Sequence, residues 1–534
     1  MAFKLILGRK LLLAAMMSTC ALGSVAQAQW LNGGGDIHNT RSSPDTAINK
    51  RNVANLAVKW VFTTGGDVSA TPAVEGNRVY DVDFAGNLYS IDAKTGVANW
   101  TRKVSDLTGN PGGSFSRTTP TLSGKNIIVA DQGDFNPQGV ALGFAPDSLF
   151  LGGDSTGKTA SVMAIDKLTG ALNWRTVVDS HQWSMITSSP VVYDGVAYVG
   201  VCSFEEADGV FGPFHPQTYR GSVVALNVRT GAVLWKTYTV PNGYTGGAVW
   251  GSTPAVDAAR GLVYVATGNN YTVPPAVGAL IAGDPTHSDQ YLDPSDFVDS
   301  VVALDLATGA VKFGKRVRGA DTWNLITPID PIVAPDYDFG SGPNLYSLGG
   351  SGTVDRIGAG EKSGTYWSLN PSDLSTVWQT QVGPLGGMSG GIQWGSATDG
   401  NRIYCGVTNS GDSSSQTYYK SGVWGPGHEG SWAALEASTG NIIWQKADPS
   451  GGRCYGMITV CNGVMYTEST SGVFYAFDAA TGNTLWSFQS GGASICGPSV
   501  VNGTVYWGSG YGRFFGGFGG GNNKLYAFSV PSVP

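Results

Sequence analysis

A thirteen-residue phrase recurs seven times along the chain, and a repeat of that kind sets the architecture before any other signal. In residues 88–100 an apolar run reaches Asp92, Thr95 and Gly96 form a turn, and a second run ends in Trp100. The phrase returns at 162–174, 223–235, 301–313, 366–378, 432–444 and 474–486, with Phe313 in the Trp place of the fourth copy. It predicts a hairpin with Gly where the turn requires positive φ. The terminal Trp offers a large flat ring to a neighbouring unit. Two more strand-like runs precede each phrase, one beginning near a Pro, as in 69–74, and one resembling 77–80. Four strands per unit is the size of a propeller blade.

The eighth unit is split between the ends of the chain. Residues 525–528 read as a third strand with no Trp strand after it, and 56–62, around Trp60, read as a Trp strand with no third strand before it. Joined, they complete a blade and leave few sheet edges exposed. The expected fold is therefore all-β: an eight-bladed β-propeller of four-stranded antiparallel blades, closed by N- and C-terminal strands sharing one blade. Composition agrees, since 78 Gly, 11% aromatic and 13% charged residues suit short twisted strands and tight turns. A formal net charge of −7 gives no basic footprint for nucleic acid. Long inserts at 133–158, 204–220, 270–297 and 409–430 fall between second and third strands, so they gather at one mouth, where loops carry function.

The start reads as an export signal. Lys4, Arg9 and Lys10 precede an apolar run from Leu11 to Met17, and Ala26-Gln27-Ala28 is a small-residue cleavage site. The expected division is a leader over 1–28 and a propeller over 29–534, in the periplasm. No later stretch is long and apolar enough to span a membrane. Five cysteines remain after the leader, at 202, 405, 454, 461 and 496. They cannot all pair within one chain, and Cys454 with Cys496, each beginning the first strand of adjacent blades, is the candidate bridge. No C-x-x-C-H haem attachment is present.

With these features in place the chain resembles the quinoprotein alcohol dehydrogenases, and within them the polyvinyl alcohol dehydrogenase branch, over nearly all of 29–534. Trp30-Leu31-Asn32-Gly33, Asn39-Thr40-Arg41 and Ser43-Pro44 look like the start of that family's mature domain. The resemblance implies pyrroloquinoline quinone (PQQ) and calcium at one mouth. Glu205, in 200–205, matches the family's calcium-binding Glu, and Asn269, in 266–269, matches its Asn ligand. Trp250, in 246–250, matches the indole under the quinone. Lys362, Arg117, Thr187 and Trp394 match residues around the cofactor, and Cys202 replaces a Ser that touches it. A carboxylate and an amide oxygen are suitable hard ligands for calcium.

Two departures stand out. The family's vicinal Cys-Cys has no counterpart at 114–117, and its W-D, whose Asp takes the hydroxyl proton, reads Trp323-Asn324. An amide is no base, so Asp321 is the expected substitute, with Glu205 or a quinone oxygen as alternatives. Relatives that use lanthanides place a second Asp two positions after the base, and Ile326 holds that place, which points to calcium. The implied activity is oxidation of an alcohol by hydride transfer to PQQ, with a separate cytochrome c taking the electrons. The competing readings are a non-catalytic cell-envelope scaffold of the outer-membrane assembly type and a polysaccharide-binding propeller.

Overall fold

The computed structural model describes residues 28–109, 114–132, 160–208, 214–251, 253–350, 352–387, 390–408, 417–418, 422–423, 429–512 and 520–531. Eight antiparallel sheets follow one another around a ring. Blades 1 to 7 span 73–103, 121–177, 191–238, 255–316, 341–381, 397–447 and 459–489. Blade 8 joins strands at 499–501, 504–509 and 524–529 to the N-terminal strand Ala57–Thr63, paired from Ala57 with Ser529 to Thr63 with Lys524. The eight-bladed, end-sharing ring expected from the repeat is the observed fold. The expected leader lies, but for Ala28, outside the described residues, as do the insert 133–158 and most of 409–430. No helix among the described residues is long and apolar enough to cross a membrane.

The Trp phrase explains how blades lock together. Seven outer-strand indoles donate to a backbone carbonyl at the next blade's turn: Trp60 to Ala93, Trp100 to Lys167, Trp174 to Val228, Trp235 to Leu306, Trp378 to Ala437, Trp444 to Ala479 and Trp486 to Leu56, at 2.9–3.2 Å. Six of these rings also face bare backbone, a Gly of the next blade's turn. At Gly309 (φ 72°) a Cβ would stand 2.5 Å from the Trp235 ring. The interface that has neither the Trp nor the Gly compensates for it. Blade 5 carries Leu374, at φ 59°, in the Gly place, and the ring packed in the same cluster is the smaller Phe313.

This pairing is testable. Gly309→Leu should cost about 2–5 kcal/mol, from left-handed backbone at about 1–2 and overpacking at about 1–3. Adding Trp235→Phe, which copies the natural Phe–Leu interface, should recover part of that loss in a denaturant titration. No recovery would contradict the account.

The segment 30–43 runs around the ring and seals it. Trp30 bridges Val74 in blade 1. The carbonyls of Leu31, Ile37, His38, Thr40 and Arg41 accept from Leu122, Val256, Leu345, Thr398 and Val460 in blades 2, 4, 5, 6 and 7, at 2.7–3.0 Å. Ser43 donates to Val500 in blade 8 at 2.6 Å. All these partners lie on innermost strands, so the segment forms the underside of the axial channel. Its buried Arg41 donates to the carbonyls of Ile458 (2.7 Å) and Gly33. Burial lowers that guanidinium only to about 10, so it stays charged.

Candidate active site

Above the strap the channel opens into a cavity with about 960 Å3 of empty space, its open mouth included, within the usual range for cofactor pockets. Its wall includes Arg117, Thr187, Cys202, Trp250, Asn269, Lys362 and Trp394. The structure thus brings seven of the ten sequence-selected residues together, from successive blades.

Two indoles form an apolar corner. The Trp250 and Trp394 rings meet edge to face, with centroids 5.2 Å apart and planes at 80°. Trp394 holds φ 63°, a left-handed conformation rare for a bulky residue and of the kind stored at functional sites. Thr187 donates to the Trp250 carbonyl at 2.7 Å and contacts Cys202 Sγ at 3.3 Å. Burial pushes the Cys202 thiol up to about 11, so it stays protonated and inert.

Arg117 is a sparsely paired cation in the wall. It is 7% exposed. Its guanidinium lies 4.0 Å over the Trp394 ring and makes one hydrogen bond among the described residues, 3.4 Å to the Tyr511 hydroxyl. No carboxylate pairs with it among the described residues. A buried cation in that state calls for an anionic ligand.

Asp338 ties the opposite wall together, and sequence reasoning missed it. Its Oδ1 accepts from the Asn269 amide at 2.6 Å, and its Oδ2 from Trp250 Nε1 at 2.9 Å and Lys362 Nζ at 2.8 Å. Lys362 also donates to Asp336 at 2.8 Å and lies 5.1 Å over the Trp250 ring. Burial alone would lower this ammonium; Asp336 and Asp338 outweigh it and hold it above the ordinary lysine range. Asn269 spends its Nδ2 on the carbonyls of Asn270 and Trp323, at 3.0 and 2.8 Å, which leaves its Oδ1 for the cavity.

Three expected site residues stand elsewhere. Glu205 does not line the cavity: its carboxylate accepts from the Thr218 and Tyr219 amides at 2.7–3.0 Å and from the Thr218 hydroxyl at 3.4 Å, with His181 Nε2 at 3.4 Å. The short turn Glu205–Ala207 sends the first of two adjacent glutamates behind the wall and the second, Glu206, into it. The Glu206 carboxylate accepts no hydrogen bond among the described residues. Burial raises it to about 7, against Lys362, which lowers it.

Asp321 is fully buried away from the cavity, and its oxygens accept from the Asp336 and Tyr337 amides at 3.1 and 2.7 Å. It therefore cannot hang over the pocket as the substitute base. Asn324 caps a turn, its Oδ1 taking the Ile326 amide and the Thr327 hydroxyl at 3.2 and 2.8 Å, while its neighbours Trp323 and Leu325 line the wall. The signal that would have found Asp338 is the run Asp336-Tyr337-Asp338, a D-x-D directly before the inner strand of blade 5. The loop 324–335 displaces it from the Trp323-Asn324 match. Ile326 is exposed on that loop. The proposed Cys454–Cys496 bridge is also absent: both thiols are free and buried.

Among the described residues Asp299 meets no N–H or hydroxyl donor, only the Asp321 carboxyl, a contact that needs a shared proton. Burial lifts Asp321 to about 6 and Glu468, buried near Arg41, to about 8. Unfolded carboxyls titrate near 4. These groups bind protons more tightly in the fold, so their contribution is whole below about pH 4 and is lost as pH rises through the folded values. The quinone-free protein should melt at a lower temperature at about pH 9 than at about pH 6; a higher one would contradict this sign.

Comparison with known proteins agrees with this arrangement. The PQQ family described as glucose/ethanol/alcohol dehydrogenase, beta-propeller domain, matches residues 30–384. The family of the outer membrane protein assembly factor BamB matches 362–519. The chain is 29% identical to a polyvinylalcohol dehydrogenase of a Sphingopyxis species, over 95% of this chain and 77% of that protein. It is 28% identical to a polyvinylalcohol dehydrogenase of a Pseudomonas species, over 90% and 73%. The fold superposes on the quinohemoprotein alcohol dehydrogenase of Comamonas testosteroni with a TM-score of 0.67, at 19% identity, covering 95% of this chain and 81% of that one. By its propeller and by a family match over most of its length, the chain belongs to the PQQ-dependent glucose, ethanol and alcohol dehydrogenases.

Proposed function

We propose that the protein is a periplasmic quinoprotein that oxidises a secondary or polymeric alcohol in the mouth cavity, with PQQ as cofactor and calcium beside it. The observation that carries this reading is Arg117: a buried guanidinium without a counter-ion among the described residues, stacked on Trp394 beside Trp250. A flat, polyanionic ring system fits such a wall, since indole faces take the plane and the guanidinium fork takes a carboxylate. When bound, the quinone supplies the two-electron acceptor for the alcohol's hydride.

The chain's own residues divide the remaining work. Glu206 and the free Oδ1 of Asn269 are hard oxygen donors for a cation. Calcium is the cation proposed, because the Lys362 ammonium held on Asp338 opposes a trivalent ion. Glu206 and Asp338 are the two carboxylates on the wall among the described residues. With Glu206 on the cation, Asp338 is the proton acceptor for the substrate hydroxyl, and Lys362 Nζ at 2.8 Å holds it in place. The polymeric substrate class follows the relatives named polyvinylalcohol dehydrogenase. Electrons leave to a separate acceptor, proposed as a cytochrome c. An envelope scaffold would need none of these buried charges at one mouth.

The test is reconstitution. Protein incubated with PQQ and calcium should gain the quinone's absorption and reduce a dye with a secondary alcohol. Protein that gains neither overturns the reading, and activity restored by lanthanum but not calcium overturns the cation.

A further inference from the structure

Large apolar side chains exposed to solvent fall into two groups in this molecule. Twelve lie on outer strands or the turns leading into them: Val58, Val61, Val97, Leu168, Leu172, Val177, Val233, Leu234, Tyr238, Val311, Val377 and Ile443. They are scattered around the rim of the disc, as isolated surface apolar residues usually are. The other six lie in the segments between blade strands: Leu280 on the helix Pro275–Gly283, and Phe214, Ile326, Ile329, Ile332 and Leu385 on loops. Three of these are isoleucines within residues 326–332, exposed by 48, 49 and 50%.

That loop is not slack. Thr322 donates to the Val333 carbonyl at 2.7 Å, Asp330 and Ala334 exchange backbone bonds of 3.1 and 3.0 Å, and Val333 packs into a cluster with Val273 and Val277. At its other end Leu325 donates to the Glu206 carbonyl at 2.9 Å and lines the cavity. Leu385 joins the same rim, since the next residue, Gly386, lies against the Lys362 backbone. The structure holds isoleucines rigidly in water, continuous with the wall beside the proton acceptor. Patches of that sort mark binding surfaces.

We infer that Ile326, Ile329 and Ile332 form a landing ridge for the hydrocarbon backbone of an alcohol longer than the cavity, placing one carbinol in the pocket while neighbouring units lie along the loop. This rests on the alcohol-oxidising reading above and extends it to the size of the substrate. A long chain of alternating methylene and carbinol groups is the occupant the geometry favours over a protein acceptor. The ridge is a single narrow loop that begins at the cavity wall through Leu325, and its one carboxylate, Asp330, is spent on the Ile332 and Val333 amides.

The experiment uses the triple variant Ile326→Asn/Ile329→Asn/Ile332→Asn, whose substitutions are on the surface. With a small dye as acceptor, kcat/KM for poly(vinyl alcohol) should fall about tenfold or more, mainly through KM, while kcat/KM for 2-butanol stays within about twofold. Calorimetric binding of poly(vinyl alcohol) to the quinone-free protein should weaken by a similar factor. Equal rates and equal binding for wild type and variant overturn the ridge. So does a variant impaired only with a protein electron acceptor, which would make the loop a cytochrome dock. If wild type binds the polymer and the variant does not, the ridge stands even where no alcohol is turned over, and only the oxidation reading falls.

Discussion

Asp338→Asn is expected to lower alcohol turnover by about 100-fold or more, the usual size of a general-base effect. The argument is one of position. Asp338 is on the cavity wall and gathers the Asn269 amide, the Trp250 indole and the Lys362 ammonium within 2.6–2.9 Å. A carboxylate with three donors has room for one more, and a substrate hydroxyl is the donor the cavity admits. The asparagine variant keeps the size of the side chain and loses the charge that Lys362 and a departing proton both require. Asp336→Asn is the control, because Asp336 shares Lys362 but does not line the cavity. It should cost far less turnover. Glu206→Gln should instead raise the calcium concentration needed for activity. Full turnover in Asp338→Asn would show that the proton goes elsewhere.

Arg117→Ala should weaken PQQ binding by about 30-fold or more, since truncating one side of a buried charge pair costs about 2–5 kcal/mol. The free protein makes this residue unusual: its guanidinium has a Trp face and one long hydrogen bond to the Tyr511 hydroxyl, and no carboxylate among the described residues. Its removal therefore breaks little in the unliganded wall. Arg117→Lys separates charge from shape, because an ammonium keeps the sign but loses the planar fork and the stacking. It should recover only part of the affinity. Fluorescence of the cavity tryptophans during a quinone titration measures all three proteins. Unchanged affinity in Arg117→Ala would place the anion elsewhere.

The ring was legible because its signal repeats. Six turns present bare backbone to a Trp, so Thr-Gly and Trp recur at fixed spacing, and Phe313 opposite Leu374 obeys the same steric rule. The strap was visible only as a run of residues around Trp30 and Arg41. Its contacts are with backbone carbonyls and amides of seven blades, and no pattern in the chain announces those. Within the site, residues fixed by blade position fell where expected: Trp250, Asn269, Lys362 and Trp394 line the cavity together. Errors arose where a side chain's direction depends on a turn. Glu205 and Glu206 are neighbours in sequence with opposite fates, because the short turn that starts there faces one to the Thr218 and Tyr219 amides. Asp321 was chosen for nearness to Asn324, but nearness along a loop says nothing of burial. Asp336 and Asp338 were hidden by the loop 324–335, which separates them from the matched Trp323.

The central claim is that one mouth cavity binds PQQ between Trp250, Arg117 and the Asp338–Lys362 pair. A crystal structure of the protein loaded with the quinone tests it most directly. The account predicts the ring system against the Trp250 face, a cofactor carboxylate on the Arg117 guanidinium, and a cation touching Glu206 and Asn269 Oδ1. A quinone bound outside this cavity, or a cation held by Glu205 with Glu206 turned away, would contradict it.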